Sequence, residues 1–458
     1  MLRDKPRPYN GGRKAIALTG CSRNNVVDGL GVIEVEFLIV YNKTVLDNGL
    51  RVITSAMPHS RSVGLAFLAG AGSCYEAQVE AGISHFAEHL FFKGTQRRPT
   101  AKEISQDIEG VGGIINASTD KEATVFWCKV ASSHFSIALD VLADLLLNSR
   151  FDAKDMEKER QVIIEEINMG LDLPQQRVSM LIDELLWPEQ SLGREVIGTK
   201  ETVSSITREQ ILNYIARRYV PNNIVVSIAG DIQHKQAVAQ IEPLLGKWSA
   251  GELSAGYVSN DKQTKPRLRI ESKHGEQAHL CLAVHGFSRF HRQRFTLDLL
   301  NTVFGGGMSS RLFTEIREKK GLAYDIHSYA EHFLNSGSFT IYAGVDPRKL
   351  EIAIAAIIEE ISRLRQGITP SELTRAKELS KGRLQLRLED SQNMALWLGN
   401  QELLKQQILD IDEVISIVDA ITIDDLEQVA QELLIGEKLN LAIVGPIKNK
   451  PSIRLLKI

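Results

Sequence analysis

The sequence predicts an α+β protein made of two homologous domains, each a mainly antiparallel sheet with helices packed on it. Two observations predict this class. One structural plan occurs twice along the chain, and short strand-like runs near hairpin turns are followed by blocks of helical pattern. The length of 458 residues allows two or three domains, each with a sizeable core.

The repeated plan is a helix followed by an apolar strand that ends in glycine. In the first copy the helix pattern opens at Thr207 and the strand closes at Gly230. In the second copy these positions are Thr422 and Gly445, and the spacing is 23 residues in both copies. Threonine caps helix N-termini through its hydroxyl group. Helix-then-strand units are common, but two matches without a gap favour a duplicated domain.

Strand signals open each half of the chain. The runs Leu50–Thr54 and Val63–Phe67 open the first half, after an Asp-Asn-Gly hairpin turn, and the runs Leu268–Ile270 and Ala278–Val284 open the second. A Gly/Ser-rich stretch lies between the halves and is typical of a linker. We therefore expect a disordered N-terminal extension (1–39), a metal-binding domain (40–245), a linker (246–265), a homologous domain without metal (266–450) and a tail (451–458).

Composition excludes several classes of protein. Hydrophobic residues at 43% and charged residues at 24% are ordinary globular values. The net charge of -3 gives no basic surface for nucleic acid, and no apolar run approaches the ~18 residues of a membrane span. Four cysteines without a C-x-x-C pair fit a reducing compartment. We expect a cytoplasmic location, or an organelle matrix if residues 1–39 are a transit peptide.

The segment Gly82–Phe92 carries two histidines and a glutamate in a helical pattern. His85, Glu88 and His89 stand at positions i, i+3 and i+4, so they share one helix face with Cβ atoms ~5–6 Å apart. Two imidazoles one turn apart can hold Zn²⁺, and the carboxylate between them can act as a base. This order, H-x-x-E-H, is the inverzincin motif. The alternative is a buried helix with two satisfied histidines, but an unpaired polar cluster among apolar neighbours would be costly.

A catalytic zinc site needs a third protein ligand from elsewhere in the chain. The segment Met156–Ile167 has a strong helical pattern, and spacing alone leaves Glu159, Glu165 and Glu166 as candidates. Each of them could equally be a solvated helix carboxylate, which is the usual fate of glutamate.

Several separate motifs resemble the insulinase (pitrilysin) family of metallopeptidases. They are the H-x-x-E-H segment with Phe92–Thr95 after it, the segment Gly112–Thr119 and the segment Glu159–Ile167. The resemblance runs from about Tyr41 to about Gly445. It is greatest with the two-domain members, which include the mitochondrial processing peptidase β subunit and bacterial processing peptidases.

The resemblance implies roles for further residues. In the family the third zinc ligand follows the last motif histidine after 76 intervening residues, which here singles out Glu166. A family carboxylate seven residues earlier matches Glu159, which would orient a ligand or tune the water. An arginine and a tyrosine seven apart match Arg317 and Tyr324, implied to reach across to the substrate near the zinc. Without the family pattern, Arg317 is typical of a surface ion pair with a neighbouring glutamate.

The strand predicted around residues 113–119 could present an edge to which an extended peptide adds as a further strand. Asn116 and Ala117 are the expected substrate contacts on it, with an ordinary sheet strand as the alternative.

The function that the resemblance implies is a zinc-dependent endopeptidase with one zinc per chain. It would hydrolyse unstructured peptides or presequence-like segments inside a dimeric chamber, as a homodimer or with a related subunit. Glu88 would be the base, with Tyr324 and Arg317 holding the tetrahedral intermediate. Two other interpretations are a non-catalytic assembly subunit, which typically lacks part of the metal set, and a zinc-stabilised binding module, whose site would be closed by four ligands.

Overall fold

The computed structural model describes residues 41–253, 256–260, 262–448 and 451–457, so the expected extension at 1–39 lies outside the described residues. The strands of the first half are β1 (Asn42–Val45), β2 (Arg51–Ala56), β3 (Ser62–Ala69), β4 (Ile114–Thr119), β5 (Thr124–Ala131) and β6 (Ile224–Gly230). Its helices are α1 (Ile83–Phe91), α2 (Ala101–Glu109), α3 (Phe135–Asn148), α4 (Ala153–Asp172), α5 (Pro174–Leu186), α6 (Lys200–Ser205), α7 (Arg208–Arg218) and α8 (His234–Leu245).

The second half repeats this composition of elements. Its strands are β7 (Arg267–Ser272), β8 (Ala278–His285), β9 (Ala323–His332), β10 (Gly337–Val345) and β11 (Asn440–Gly445). Its helices are α9 (Arg294–Phe304), α10 (Leu350–Gln366), α11 (Pro370–Leu388), α12 (Ser391–Lys405), α13 (Ile411–Ala420) and α14 (Ile423–Leu433), and a π-helical segment spans Phe313–Lys319.

The two sheets share one strand order. Within the described residues the first sheet runs β1-β2-β6-β3-β5-β4 and the second runs β7-β11-β8-β10-β9. The order β2-β6-β3-β5-β4 of the first sheet corresponds to β7-β11-β8-β10-β9 of the second, and β1 is an additional strand beside β2. The pairs β2–β6 and β7–β11 are parallel, and the other pairs are antiparallel. The predicted α+β class is confirmed, with two mainly antiparallel sheets of equivalent topology.

The residues of the sequence repeat have matching structural roles. Thr207 and Thr422 are the N-caps of α7 and α14, and each closes a capping box with the residue three positions later. Gly230 and Gly445 end the strands with φ of 134° and 158°. A Cβ on Gly230 would lie 2.2 Å from the carbonyl oxygen of Ser62, so the strand end requires glycine.

Each sheet buries one face against helices of its own half. The core of the first half gathers large aromatic side chains, among them Phe67, Phe86, Phe91 and Phe126. The core of the second half is built in the same way on the inner face of its own sheet, and Leu456 of the C-terminal segment is buried in it.

The other face of each sheet is covered by a helix from the opposite half. Helix α5 places Val178, Leu181 and Ile182 against Ala283 and Val444 of the second sheet. Without α5, this apolar face of the second sheet would be exposed to water.

Helix α12 makes the reciprocal contact on the first sheet. Its Ala395 and Leu398 pack against Ile53, Val225 and Ala229. The two halves therefore exchange one helix each, and the exchange fixes how they sit together.

The close approach of α12 to the first sheet depends on a glycine. A Cβ on Gly399 would lie 2.4 Å from Cδ1 of Leu68 and 2.9 Å from Cβ of Ser227. The absence of a side chain at this position therefore allows the helix to lie this close to the sheet.

None of the described helices has the length and apolar character that crossing a membrane requires.

We expect Gly399→Ala to lower the free energy of unfolding by about 1–3 kcal/mol, because the added methyl group overpacks the contact with Leu68. Gly382→Ala is the matched control, since a Cβ there would meet no heavy atom within 4 Å. That control should raise stability by about 0.5–1 kcal/mol through helix propensity. Urea denaturation of the three proteins measures both changes. A Gly399→Ala protein as stable as its parent would contradict the close packing.

Candidate metal centre

Helix α1 is fixed at its N-terminus by a carboxylate from outside the helix. The N-cap residue is Gly82, with φ of 94° and no side chain to cap the helix. Glu76 takes this role: its Oε2 accepts from the backbone N–H of Gly82 at 2.8 Å and its Oε1 from that of Ser84 at 2.9 Å. Glu76 is 6% exposed. A negative charge at this end also complements the helix dipole.

One face of α1 is buried in the first core and the other carries the motif. The buried positions include Ile83, Phe86, Ala87 and Leu90. Because the motif residues stand between them in the 3.6-residue repeat, they project together from the opposite side. The predicted helix over 82–92 is present as Ile83–Phe91.

The structure brings Glu166 of α4 to the two histidines. Its Oε2 lies 3.9 Å from Nε2 of His85 and 3.6 Å from Nε2 of His89. One ligand atom from each residue falls within 4.8 Å of the others. Tetrahedral zinc with bonds of ~2.0–2.1 Å separates its ligand atoms by about 3.3 Å, so a small inward movement suffices for coordination. Two imidazoles and one carboxylate are also one of the donor sets found in catalytic zinc sites.

The electrostatics of His85 suit a metal ligand. Burial, with a smaller contribution from the charge of His89, lowers the pKa of His85 to about 4. The imidazole is therefore neutral at pH 7, which is the form that binds metal. Its Nδ1 is buried and has no hydrogen-bond partner within the described part of the chain.

His89 is held by Glu159, the carboxylate that the family resemblance implies orients a zinc ligand. Its Nδ1 lies 3.1 Å from Oε2 of Glu159, where Nδ1–H can donate a hydrogen bond to the carboxylate and leave Nε2 for the metal. The other oxygen of Glu159 is 2.7 Å from Nζ of Lys93, which lies four residues after His89, just beyond the end of α1. Lys93 is a site residue that sequence reasoning missed, although its i+4 spacing from His89 was a usable signal.

The third carboxylate left open by spacing lies elsewhere. Glu165 is exposed on α4, where its Oε2 accepts from the side-chain amide of Asn168 at 3.4 Å. Adjacent helix positions are about 100° apart around the axis, so Glu165 and Glu166 face different directions.

The structure holds Glu88 beside the cluster with a threonine from a neighbouring strand. Oγ1 of Thr119, the last residue of β4, donates to Oε2 of Glu88 at 2.6 Å. Burial raises the pKa of Glu88, while the hydrogen bond from Thr119 and the charge of His89 oppose the shift. Sequence reasoning missed Thr119, although strand alternation places it on the same face as Ala117.

Strand β4 is the edge of the first sheet next to this cluster. Among the described strands β4 pairs with β5 alone, so its other edge is open to a further strand. Ala117 faces the first core, whereas Asn116 is exposed on the opposite face, where its Oδ1 accepts from the backbone N–H of Ala117 at 2.8 Å.

The contacts of Arg317 and Tyr324 within the described chain are with residues of the second half. The guanidinium of Arg317 stacks on the rings of Phe313 at 4.7 Å and Tyr324 at 5.2 Å, and its Nε lies 3.6 Å from Glu318. Tyr324 is 76% exposed. Across the described residues, neither side chain forms a hydrogen bond or ion pair with the two histidines or with Glu166.

Comparison with known proteins gives a family for both halves. The family model described as Insulinase (Peptidase family M16) matches residues 51–200, and the model described as Peptidase M16 inactive domain matches residues 205–380. The solved protease from Helicobacter pylori superposes with a TM-score of 0.83 at 22% identity, covering 89% of this chain and 99% of that one. A Pseudomonas fluorescens structure described as peptidase M16 inactive domain gives a TM-score of 0.82 at 20% identity, covering 90% and 100%.

Curated bacterial relatives match along almost their whole length. The uncharacterized zinc protease YmxG of Bacillus subtilis is 37% identical over 406 residues, which are 88% of this chain and 98% of the relative. The uncharacterized zinc protease SCO5738 of Streptomyces coelicolor is 34% identical over 420 residues, 90% of this chain and 91% of the relative. With both halves matched by family models and relatives of this identity aligned nearly end to end, the chain belongs to the insulinase family, peptidase family M16.

Proposed function

We propose that this protein is a zinc-dependent endopeptidase with one zinc per chain, cleaving unstructured peptides or presequence-like segments. The observation that carries the proposal is the cluster of His85, His89 and Glu166, with the carboxylate of Glu88 held beside it. Relatives named zinc proteases support the same chemistry. An assembly subunit that has lost catalysis would have no need of this complete donor set.

The chemistry divides between the metal and the residues around it. Zinc bound by the three ligands would act as a Lewis acid, polarising the scissile carbonyl and acidifying a water molecule. Glu88 takes the proton of the attacking water and delivers it to the leaving amine nitrogen. Thr119 keeps the carboxylate in one orientation through its 2.6 Å hydrogen bond.

The open edge of β4 supports an extended polypeptide as the substrate. A peptide that pairs with this edge gains main-chain hydrogen bonds that do not depend on its sequence. Thr119 at the end of the strand holds Glu88, so a peptide lying along β4 passes close to the cluster. Folded proteins have few segments free to pair in this way, so unstructured segments are the substrates we propose.

We propose further that the active assembly is a dimer in which Arg317 and Tyr324 act on the site of the other chain. Arg317 is partly and Tyr324 largely accessible to solvent, and among the described residues neither bonds to the cluster of its own chain. The phenol of Tyr324 would donate to the developing oxyanion, and Arg317 would hold a substrate carbonyl. A chamber between two chains would then admit peptides and exclude compact proteins.

Glu166→Ala should lower zinc affinity by more than about 100-fold, because even an outer partner of a ligand contributes about 10- to 100-fold. Glu165→Ala is the matched control on the neighbouring residue of α4 and should bind zinc as tightly as the parent. Zinc titration against a chromophoric chelator gives affinity and stoichiometry, with one zinc per chain expected for the parent. Weakened zinc binding in Glu165→Ala, with unchanged binding in Glu166→Ala, would make Glu165 the ligand and contradict the proposal.

Glu88→Gln should retain zinc and lose peptidase activity by about 10²–10⁴-fold, because it removes the base and leaves the ligands in place. The measurement is cleavage of an unstructured polypeptide by parent and variant, each with and without a zinc chelator. A zinc-loaded parent that cuts none of a varied set of unstructured substrates would contradict the proposed function.

A mixture of Glu88→Gln and Tyr324→Phe proteins should be more active than either variant alone. In a mixed dimer, the chain with Tyr324→Phe supplies an intact Glu88 and its partner supplies an intact Tyr324, so one complete site forms. The measurement is activity against mixing ratio after subunit exchange, with each variant mixed with parent as the control. If the activity of the mixture is only the weighted mean of the two variants' activities, Tyr324 acts on the site of its own chain or on no site, and the proposed exchange between chains is wrong.

A further inference from the structure

We propose that Glu122 is a positioning residue that couples the second half of the chain to the base Glu88. This inference rests on the proposed function, because it concerns the placement of the same carboxylate. The route runs from the second half through Glu122, along the turn between β4 and β5, to Thr119, which holds Glu88.

Glu122 is a buried carboxylate in the turn between β4 and β5. Its residue exposure is 3%, and among the described residues every side-chain or backbone group that donates to its carboxylate lies beyond the first half. Oε1 accepts from the hydroxyl of Tyr257 in the inter-domain segment at 2.6 Å and from the backbone N–H of Leu334 at 2.6 Å. Oε2 accepts from Nη2 of Arg289 at 2.7 Å. Charge-assisted bonds of this length are among the strong ones in proteins.

The preceding residue attaches the same turn to the exchanged helix. Nζ of Lys121 donates to Oδ2 of Asp183 on α5 at 2.7 Å and to the carbonyl oxygen of Leu192 at 2.5 Å. Because α5 packs on the second sheet, the contact with Asp183 ties the position of the turn to a helix that the second half also contacts.

The other end of the route is the hydrogen bond from Thr119 to Glu88. Thr119 and Thr124 are paired across β4 and β5 and close the turn that contains Glu122. Oγ1 of Thr124 is 3.4 Å from Oγ1 of Thr119 and donates to the carbonyl oxygen of Ala71 at 2.9 Å. A shift of the turn therefore moves the hydroxyl that orients Glu88. A displacement near 1 Å at a catalytic group can cost about 10²-fold in rate.

The turn also has support from its own half, so it is expected to stay folded when Glu122 is changed. The backbone N–H of Cys74 donates to the carbonyl oxygen of Lys121 at 2.8 Å, and that of Ser73 to the carbonyl oxygen of Asp120 at 3.3 Å. Glu122→Gln keeps an acceptor for Tyr257 and Leu334 and loses the charge that pairs with Arg289.

Glu402 offers a matched control elsewhere between the halves. It is a carboxylate of α12 that is 2% exposed, and its Oε1 lies 2.6 Å from Nζ of Lys43 and 3.6 Å from Nη1 of Arg51. Glu402→Gln removes a buried charge pair between the halves at strands β1 and β2, whereas Glu122 lies at the β4–β5 turn.

The experiment compares four zinc-loaded proteins: the parent, Glu122→Gln, Arg289→Met and Glu402→Gln. Steady-state kinetics on an unstructured peptide, zinc affinity and amide hydrogen exchange are measured for each. For Glu122→Gln and Arg289→Met we expect kcat to fall about tenfold or more with KM and zinc affinity within about twofold, because only the chemical step loses its geometry. Amides of residues 119–124 should exchange at least about tenfold faster in both variants. Glu402→Gln should leave kcat and this exchange unchanged.

Three results would overturn the inference. They are an unchanged kcat in Glu122→Gln, a rise in KM alone, and an equal loss of kcat in Glu402→Gln, which would indicate a general effect of weakening the contact between the halves. If the parent cleaves no peptide, the proposed function fails, and the exchange data decide the coupling separately. Faster exchange at 119–124 in Glu122→Gln and Arg289→Met alone supports it, and unchanged exchange removes it.

Discussion

The seating of helix α1 is the constraint on which the rest of the site depends. Its apolar face is buried in the first core, and its first turn is held by the carboxylate of Glu76, which accepts from Gly82 and Ser84. With the helix fixed at both its side and its end, the direction of each motif residue follows from the helical repeat. The neighbouring elements then supply the other groups: α4 brings Glu159 and Glu166, and β4 brings Thr119.

Local spacing predicted what lies within single elements. The H-x-x-E-H helix and the strand around residues 113–119 could be predicted because each depends on a repeat of 3.6 or 2 residues. The threonine caps of the duplicated units could be predicted because threonine is itself a preferred residue at a helix N-terminus. Spacing alone left three glutamates open as ligands, and the family distance pointed to Glu166, the one that the structure brings to both histidines. The roles of these residues as zinc ligands, and of Glu88 as the base, stay predictions that zinc titration and peptidase assays test.

Contacts between residues far apart in the chain could not be predicted from the sequence. Lys93 and Thr119 became visible only once α4 and β4 were placed beside α1, although both carry weak local signals. Glu122 looks like an ordinary turn residue, and its burial follows from donors more than a hundred positions away. The covering of each sheet by a helix from the other half has no signature in either helix, since a helix buried by its own domain shows the same apolar positions.

The exchange of helices has a consequence for how the chain folds during synthesis. The face of the first sheet that carries Ile53 and Val225 is complete once β6 ends at Gly230, but its cover begins only at Ser391. A nascent chain therefore presents a finished sheet with one bare apolar face for the whole time that the second half takes to emerge. Such a surface attracts other chains in the same condition. Assembly of this fold consequently places a demand on chaperones that two independent domains would avoid, and it sets a lower limit on the fragment that can be produced as a stable protein.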